Sequence, residues 1–229
     1  MSIRPSLARR ACAEGIAAFA LVVAGCGAII ADHRYGGALG TVGVALAFGL
    51  VIMVMVYATG HLSGAHINPA VTVAFTLTRH FAARDALAYI GAQVAGASAG
   101  ALVLLAVWTD KPAHLGATLP SVAAGSAFVY ELLLTAFLMF VIMAVATDTR
   151  AVGAAAAIAI GGTILLDAMF GGPISGASMN PMRSLGPALV SGDLHALWLY
   201  ILAPIVGASL GGLGYQFVRG EQTRPEPAS

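Results

Sequence analysis

The chain has 229 residues, of which 59% are hydrophobic and 9% charged, with a mean hydropathy of +0.89 and a formal net charge of +1. This composition excludes an ordinary soluble domain and is typical of a polytopic membrane protein. The near-neutral charge gives no basic surface for a nucleic acid. From the hydrophobic composition we expect an all-α protein that lies in a lipid bilayer.

The first apolar segment, residues 11–31, has two interpretations. Two arginines precede it, and residues 23–26 resemble a lipoprotein cleavage site, as in a cleaved signal peptide. However, Glu14 is out of place in the apolar core of such a peptide, and a matching glutamate, Glu131, begins a later segment. We therefore favour an uncleaved first membrane helix.

Six segments are long and apolar enough to span a bilayer, which takes roughly 20 residues. They lie near residues 11–31, 38–60, 86–108, 125–147, 153–171 and 195–217. Two polar loops with short apolar tails, residues 69–78 and 181–190, interrupt this pattern. As a helix each tail is about 15 Å long, half the hydrocarbon thickness, so we predict two re-entrant half-helices.

The polar loop occurs twice in the chain. Residues 63–69, Ser-Gly-Ala-His-Ile-Asn-Pro, match residues 175–181, Ser-Gly-Ala-Ser-Met-Asn-Pro, at an offset of 112. Each half of the chain, about residues 10–110 and 125–218, has three spans and one half-helix. Because three is odd, the second copy enters the membrane from the opposite side, which predicts inverted repeats whose half-helices meet near the bilayer centre.

The basic residues predict the orientation. If the chain starts inside, eight of its eleven basic residues are cytoplasmic: Arg4, Arg9, Arg10, Arg79, Arg84, Arg150, Arg219 and Arg224. Only Arg34 and Lys111 lie outside, so both termini are expected in the cytoplasm. We expect one transmembrane domain, residues 1–229, in which residues 219–229 form a polar cytoplasmic tail.

Small residues at a spacing of four occur at equivalent places in the third and sixth spans. Gly96 and Gly100 form one pair, and Gly207 and Gly211 form the other. Such pairs allow helices to cross closely in lipid, either within one chain or between subunits. Their equivalent placement in the two halves favours packing within the chain.

Each polar loop ends in Asn-Pro, at Asn68 and Asn180. Asparagine is a strong N-cap and proline suits the first helical position, so two ordinary caps would explain this much. In a membrane, however, a half-helix that starts at the centre points its positive end, about half a unit charge, at the pore. Two such ends repel cations, and the amides can orient a passing water so that it does not relay protons. Unwound backbone before the asparagines offers carbonyl oxygens: Gly64, Ala65, His66, Gly176 and Ser178.

Paired SGxxxNP loops in an inverted six-span repeat resemble the aquaporin family, over about residues 10–218. The strings GLVIMVMVYATGHLSGAHINPAVT and GPISGASMNPMRSLGPA are most similar to its nodulin-type branch and the bacterial relatives of that branch. The resemblance implies a homotetramer in a cell membrane, here a bacterial inner membrane, with one pore per subunit and neither a cofactor nor a bound metal. Met182 departs from the family pattern, which usually has alanine there.

By this resemblance, Arg183 belongs to an outer constriction with Phe48, Ala168 and Ala177. Water-selective relatives have a histidine where this chain has Ala168. Two alanines and one aromatic side chain imply a wide opening that suits glycerol and boric, arsenous and silicic acids as well as water. A water-selective pore is the alternative function. For Arg183 itself, the alternative is a structural role, either in a salt bridge or by snorkelling.

Three acidic residues lie within the predicted spans. Glu14 and Glu131 could form a proton relay, but their symmetric placement fits the family pattern, in which such glutamates bond the backbone of the half-helix loops. Asp167 adjoins Ala168. We expect it to bond backbone groups of the second loop, and a partner that tunes Arg183 is the alternative.

Two histidines, His61 and His66, lie toward the predicted cytoplasmic mouth. They could gate the pore with pH, but hydrogen bonds to the loop backbone are favoured. Their spacing of five, without a neighbouring cysteine or carboxylate, argues against a metal site.

A different class of protein, the secondary transporter, also uses inverted repeats with broken helices. Such a protein needs a coupling-ion site formed by carboxylates, whereas Asn68 and Asn180 are neutral. An intramembrane enzyme is a third class, but the sequence has no Ser/His/Asp set and no HExxH motif. A passive channel for water and small neutral solutes is therefore the favoured prediction.

Overall fold

The computed structural model describes residues 5–148, 150–151 and 155–220. Its helices are α1 (Leu7–Leu21), α2 (Gly27–Arg34), α3 (Gly40–Ser63), α4 (Pro69–Leu77), α5 (Ala83–Val107), α6 (Ala124–Thr147), α7 (Ala156–Ser175), α8 (Pro181–Ser191) and α9 (Leu197–Arg219). A π-helical turn, Val22–Cys26, joins α1 and α2 into one continuous helix. The described residues contain no strand, in agreement with the predicted all-α class.

Six helices are long and apolar enough to cross a membrane, which confirms the six predicted spans. They are the combined helix Leu7–Arg34 together with α3, α5, α6, α7 and α9. Large apolar side chains remain exposed on their outer faces, among them Leu133, Leu166 and Leu210, each at least half exposed. Such a surface is suited to lipid rather than to water. Arg4, Arg224 and the predicted tail beyond residue 220 lie outside the described residues.

The two predicted half-helices are α4 and α8. Each begins with proline at its first position, and the side chain of the preceding asparagine accepts a hydrogen bond from a backbone N–H of the first turn. The distances are 2.8 Å from Ala70 N to Asn68 Oδ1 and 3.2 Å from Met182 N to Asn180 Oδ1. These caps fix where both helices start, because they satisfy donors that have no partner inside the helix.

The paired glycines lie where the long helices cross. A Cβ on Gly96 would be 2.0 Å from the carbonyl oxygen of Gly15 on α1, so α5 packs on α1 at backbone distance. On α9, a Cβ on Gly207 would be 2.2 Å from the carbonyl oxygen of Leu132, and one on Gly211 would be 2.1 Å from that of Ala136. The preference for packing within the chain is thus confirmed, and the two crossings bring corresponding helices of the two halves together in the same way.

Replacing Gly207 by alanine should destabilise the protein. Its new methyl group would meet backbone of α6, which cannot move aside as a side chain can, and overpacking of this kind costs about 3 kcal/mol. Gly214→Ala on the same helix is the matched control, since nothing lies within 4 Å of its Cβ position. Thermal unfolding in detergent should show a lower midpoint for Gly207→Ala alone. Equal midpoints for the two variants would contradict the close crossing.

Candidate functional site

The loops that precede α4 and α8 meet in the middle of the protein. Asn68 donates from Nδ2 to the carbonyl oxygen of Met179 in the other loop, at 2.7 Å. Asn180 donates in return to the carbonyl oxygen of Ile67, at 2.8 Å. The starts of the two half-helices therefore face each other at one place. Each amide nitrogen carries a second hydrogen, and both asparagines line the same cavity, so each retains a donor that can reach its contents.

The backbone of both loops is left-handed at several residues. In the first loop φ is 90° at Gly64, 46° at Ala65 and 52° at Ile67. In the second loop it is 88° at Gly176, 40° at Ala177 and 52° at Met179. Non-glycine residues in this region cost roughly 1–3 kcal/mol each and persist only where the surroundings hold them in place. The loops therefore require strong partners elsewhere in the fold.

One buried glutamate holds each loop. Glu14 accepts from the backbone N–H groups of His66 at 2.9 Å and Ile67 at 2.6 Å, and from the Ser63 hydroxyl at 2.7 Å. Glu131 accepts the equivalent set from Ser178 at 2.9 Å, Met179 at 2.8 Å and the Ser175 hydroxyl at 2.8 Å. Both carboxylates thus make the backbone contacts that a supporting role requires.

Asp167 does not make the contact that the sequence predicted. Its side chain is fully buried, yet neither carboxylate oxygen has a hydrogen-bond partner among the described residues. It is therefore not bonded to the backbone of the second loop, and it forms no ion pair with Arg183. The prediction was wrong because Glu131 on α6 already accepts the free N–H groups of that loop.

A cavity, called here the long cavity, runs past the two asparagines. One side is polar loop backbone, and the opposite side is apolar, from α3, α6 and α7. On the polar side lie Gly64, Ala65, His66, Asn68, Ala177, Ser178 and Asn180. On the apolar side lie Ile52, Val56, Leu138, Ile142, Ile160 and Ile164. A solute in this cavity meets hydrogen-bonding groups on one side only.

A second cavity, the funnel, opens toward the connection between α2 and α3. It is lined in part by Asp32, Thr118, Ala168, Gly172 and Gly176. Gly176 thus belongs to the funnel, whereas the sequence placed it beside the other loop residues. Three residues line both cavities: Phe48, Ala177 and Arg183. Three of the four predicted constriction residues therefore lie where the two cavities adjoin, and the fourth, Ala168, lines the funnel alone.

Arg183 is 2% exposed and is held by backbone rather than by an acid. Its Nη1 donates to the carbonyl oxygen of Gly116 at 2.7 Å, and its guanidinium carbon lies 4.8 Å from the centre of the Phe48 ring. Within the described part of the chain it has no ion pair, so the salt-bridge alternative is not supported. No carboxylate of the described residues therefore contacts this positive charge beside the cavity.

Gly116 was not identified from the sequence. It ends the turn Pro112–Gly116, whose backbone is left-handed at Ala113, His114 and Leu115. Leu115 is fully buried, and this anchors the turn. No sequence motif predicts this conformation, and the one available signal is a glycine in the connection between two spans, residues 108–123.

His66 bonds a side chain, not the loop backbone as predicted. Its Nδ1 lies 3.1 Å from the Thr72 hydroxyl. The ring is surrounded by three aromatic side chains, Phe75, Phe81 and Tyr89, with ring centres 4.7 to 5.1 Å away. His61 is exposed near the end of α3 and takes no part in the site.

The arrangement matches a known family along nearly the whole chain. The family model described as major intrinsic protein matches residues 1–215. The chain belongs to the major intrinsic protein family. An X-ray structure of the aquaglyceroporin from Plasmodium falciparum superposes with a TM-score of 0.84 at 26% identity, covering 92% of this chain and 96% of that one. The predicted fold of six spans and two half-helices is thereby confirmed.

Relatives within the family identify the branch. Aquaporin NIP1-4 from Oryza sativa subsp. japonica is 50% identical over 213 residues, which cover 92% of this chain and 78% of the relative. Nodulin-26 from Glycine max is 45% identical over 207 residues, which cover 90% and 76%. The resemblance to the nodulin-type branch is confirmed. These relatives are plant proteins and give no support to the prediction of a bacterial relative.

Replacing Glu131 by glutamine should destabilise the second loop. Whichever carboxylate oxygen becomes an amide, its N–H groups then face a backbone donor, from Ser178 or from Met179. Losing charged acceptors of this kind costs about 3 kcal/mol, or roughly 10 °C in melting temperature for a chain of this size. Asp110→Asn is the control, because that carboxylate forms only an exposed pair with Arg34, worth about 0–1 kcal/mol. If Glu131→Gln had the same melting temperature as the control variant, the conformation of the second loop would not depend on Glu131.

Proposed function

We propose that the chain is a passive membrane channel for water and small neutral solutes that excludes ions and protons. The observation that carries the proposal is the reciprocal bonding of Asn68 and Asn180 across the two half-helix starts, with both amides lining one cavity. Membership of the major intrinsic protein family and the aquaglyceroporin-like fold support the same function and argue against an enzyme.

Ion exclusion follows from positive charge at the site that no contacting carboxylate pairs with. The starts of α4 and α8 direct partial positive charge toward the asparagines, as their first N–H groups point there. Arg183 adds a full positive charge at the junction of the two cavities. A cation in the long cavity would lose hydration and meet repulsion at both places, whereas a neutral solute meets only hydrogen-bond donors and acceptors.

We assign the selective constriction to Phe48, Ala168, Ala177 and Arg183. Two of these side chains are single methyl groups, so the opening is wide, and the Phe48 ring provides an apolar wall beside the arginine. This combination suits polyols such as glycerol and neutral acids of boron, arsenic and silicon. A water-selective pore is disfavoured because nothing bulky occupies the Ala168 position.

A secondary transporter is disfavoured because the buried glutamates of the described residues do not line the cavities. Coupling ions are bound by oxygen ligands that a solute pathway reaches. Glu14 and Glu131 line neither cavity, and their oxygens already accept hydrogen bonds from loop donors. No carboxylate of the described residues lines the long cavity.

We further propose one channel domain of residues 1–229, with pseudo-symmetric halves of about residues 10–110 and 125–218, that assembles as a homotetramer with one pore per subunit. Both termini lie in the cytoplasm. The support for this orientation is that Arg9, Arg79 and Arg219 lie at one end of the helix bundle, while Arg34 and Lys111 lie at the other. In this proposal the polar cytoplasmic tail, predicted for residues 219–229, starts where α9 ends, at Arg219.

The purified protein in liposomes should pass water, glycerol and boric acid in stopped-flow shrinkage assays, and should not pass sorbitol. Ala168→His should cut glycerol and boric acid passage while sparing water, because the imidazole narrows the opening of the funnel into the long cavity. Water flow in the same vesicles is the internal control. Equal glycerol passage by both proteins would place the constriction elsewhere.

Removing the arginine charge tests the barrier to ions. Arg183→Ala should keep water flow and should admit protons or small cations, detected with a pH-sensitive dye inside vesicles under an imposed gradient. The expected cause is loss of a desolvated positive charge, since the half-helix ends alone carry only about half a unit charge each. An unchanged proton conductance would count against the barrier role of Arg183.

A further inference from the structure

The first membrane helix is interrupted by a π-helical turn, Val22–Cys26, that lies against the proposed constriction. Insertions of this kind occur frequently at functional sites, because they displace the backbone locally. Two residues of the turn, Gly25 and Cys26, contact the two elements that shape the constriction. In the sequence both were noted only as part of residues 23–26, which resemble a lipoprotein cleavage site.

Gly25 lies directly against the ring of Phe48. A Cβ at Gly25 would be 2.2 Å from Cε1, 2.5 Å from Cδ1 and 2.6 Å from Cζ of that ring. Real Cβ atoms do not approach so closely. The ring therefore occupies space that exists only because residue 25 has no side chain.

Cys26, the next residue, supports the arginine in a similar way. A Cβ at Gly116 would be 2.6 Å from the Cβ of Cys26, so the turn that ends at Gly116 rests on the π-helical turn. The carbonyl oxygen of Gly116 accepts the hydrogen bond from Arg183. The aromatic ring and the guanidinium, which stack on each other, thus share one backbone support.

We propose that Gly25 is a specificity-determining positioning residue: it seats the Phe48 ring against the first helix and thereby sets the width of the constriction. This inference rests on the proposed function, in which Phe48 and Arg183 form the selective part of a neutral-solute channel.

Whether Gly25→Ala widens or narrows the opening depends on whether the first helix or the Phe48 ring moves. Gly25 has helical backbone, and alanine is the better helix former, so Gly25→Ala leaves the first helix intact. The clash is with the end of one side chain and not with backbone. The ring therefore moves away from the first helix, and it is one of three side chains that line both cavities. The opening becomes narrower for solutes larger than water.

The experiment measures glycerol and water permeability of Gly25→Ala in liposomes and compares their ratio with that of the wild-type protein. One misplaced methyl group in a close-fitting site changes discrimination roughly tenfold, so we expect the glycerol-to-water ratio to fall about tenfold. Gly27→Ala is the matched control two residues away, because its Cβ would meet only Cδ2 of Leu104 at an ordinary 3.6 Å. It should keep the wild-type ratio.

A double-mutant cycle identifies the cause. In a Phe48→Ala background, Gly25→Ala should leave the ratio where Phe48→Ala alone puts it, because all three clashing ring atoms are gone. The proposal would be overturned if Gly25→Ala lowered the glycerol-to-water ratio equally in both backgrounds, or if it left that ratio unchanged or raised it. It would also be overturned if Gly25→Ala reduced the glycerol and water permeabilities equally, or if the variant failed to fold.

Failure of the broader function is recognised separately. If wild-type vesicles pass no glycerol, or Ala168→His passes it unchanged, then the channel assignment or its constriction is wrong. If those results hold and Gly25→Ala still has the wild-type ratio, only the role given to Gly25 fails.

Discussion

The whole pore depends on two buried carboxylates that accept hydrogen bonds from unwound backbone. Inside a membrane no water is available for free N–H groups, so a loop at that depth must find its acceptors within the protein. Glu14 and Glu131 supply them, one in each half, and each binds two consecutive backbone donors and one serine hydroxyl. With the donors fixed, the left-handed loop residues are held in place, and the asparagines reach each other's loop.

The two supports are not equal. In the first half, Gln93 donates to Glu14 Oε2 at 2.8 Å, so this carboxylate has four donors. The equivalent position in the second half, at an offset of 111, is Pro204, which has no donor to offer, and Glu131 keeps three. The second loop is held instead by hydroxyl groups: Ser178 of the loop bonds Ser184 of α8, and Ser184 accepts a hydrogen bond from Thr118. The loop that carries the constriction is therefore coupled to the connection between α5 and α6.

The sequence was sufficient for features that are local or repeated. The spans followed from apolar length, and the half-helices followed from Asn-Pro caps that occur twice at one offset. Contacts between distant segments could not be predicted in this way. Asp167 lies one residue from Ala168 in the sequence and was expected to accept hydrogen bonds from the second loop. The sequence could not show that Glu131 accepts those hydrogen bonds instead. Gly116 acts through its carbonyl oxygen, and every residue has one, so its side chain gives no signal.

This difference matters for how selectivity is deduced in such a channel. The four side chains of the proposed constriction account for its chemistry, but its width also depends on where the backbone places them. The Phe48 ring lies where it does because residue 25 has no Cβ, and Arg183 lies where it does because a left-handed turn presents Gly116 to it. Two proteins with the same four constriction residues can therefore differ in pore width if their first helices differ at one small residue. Comparison of constrictions should include the backbone that supports them.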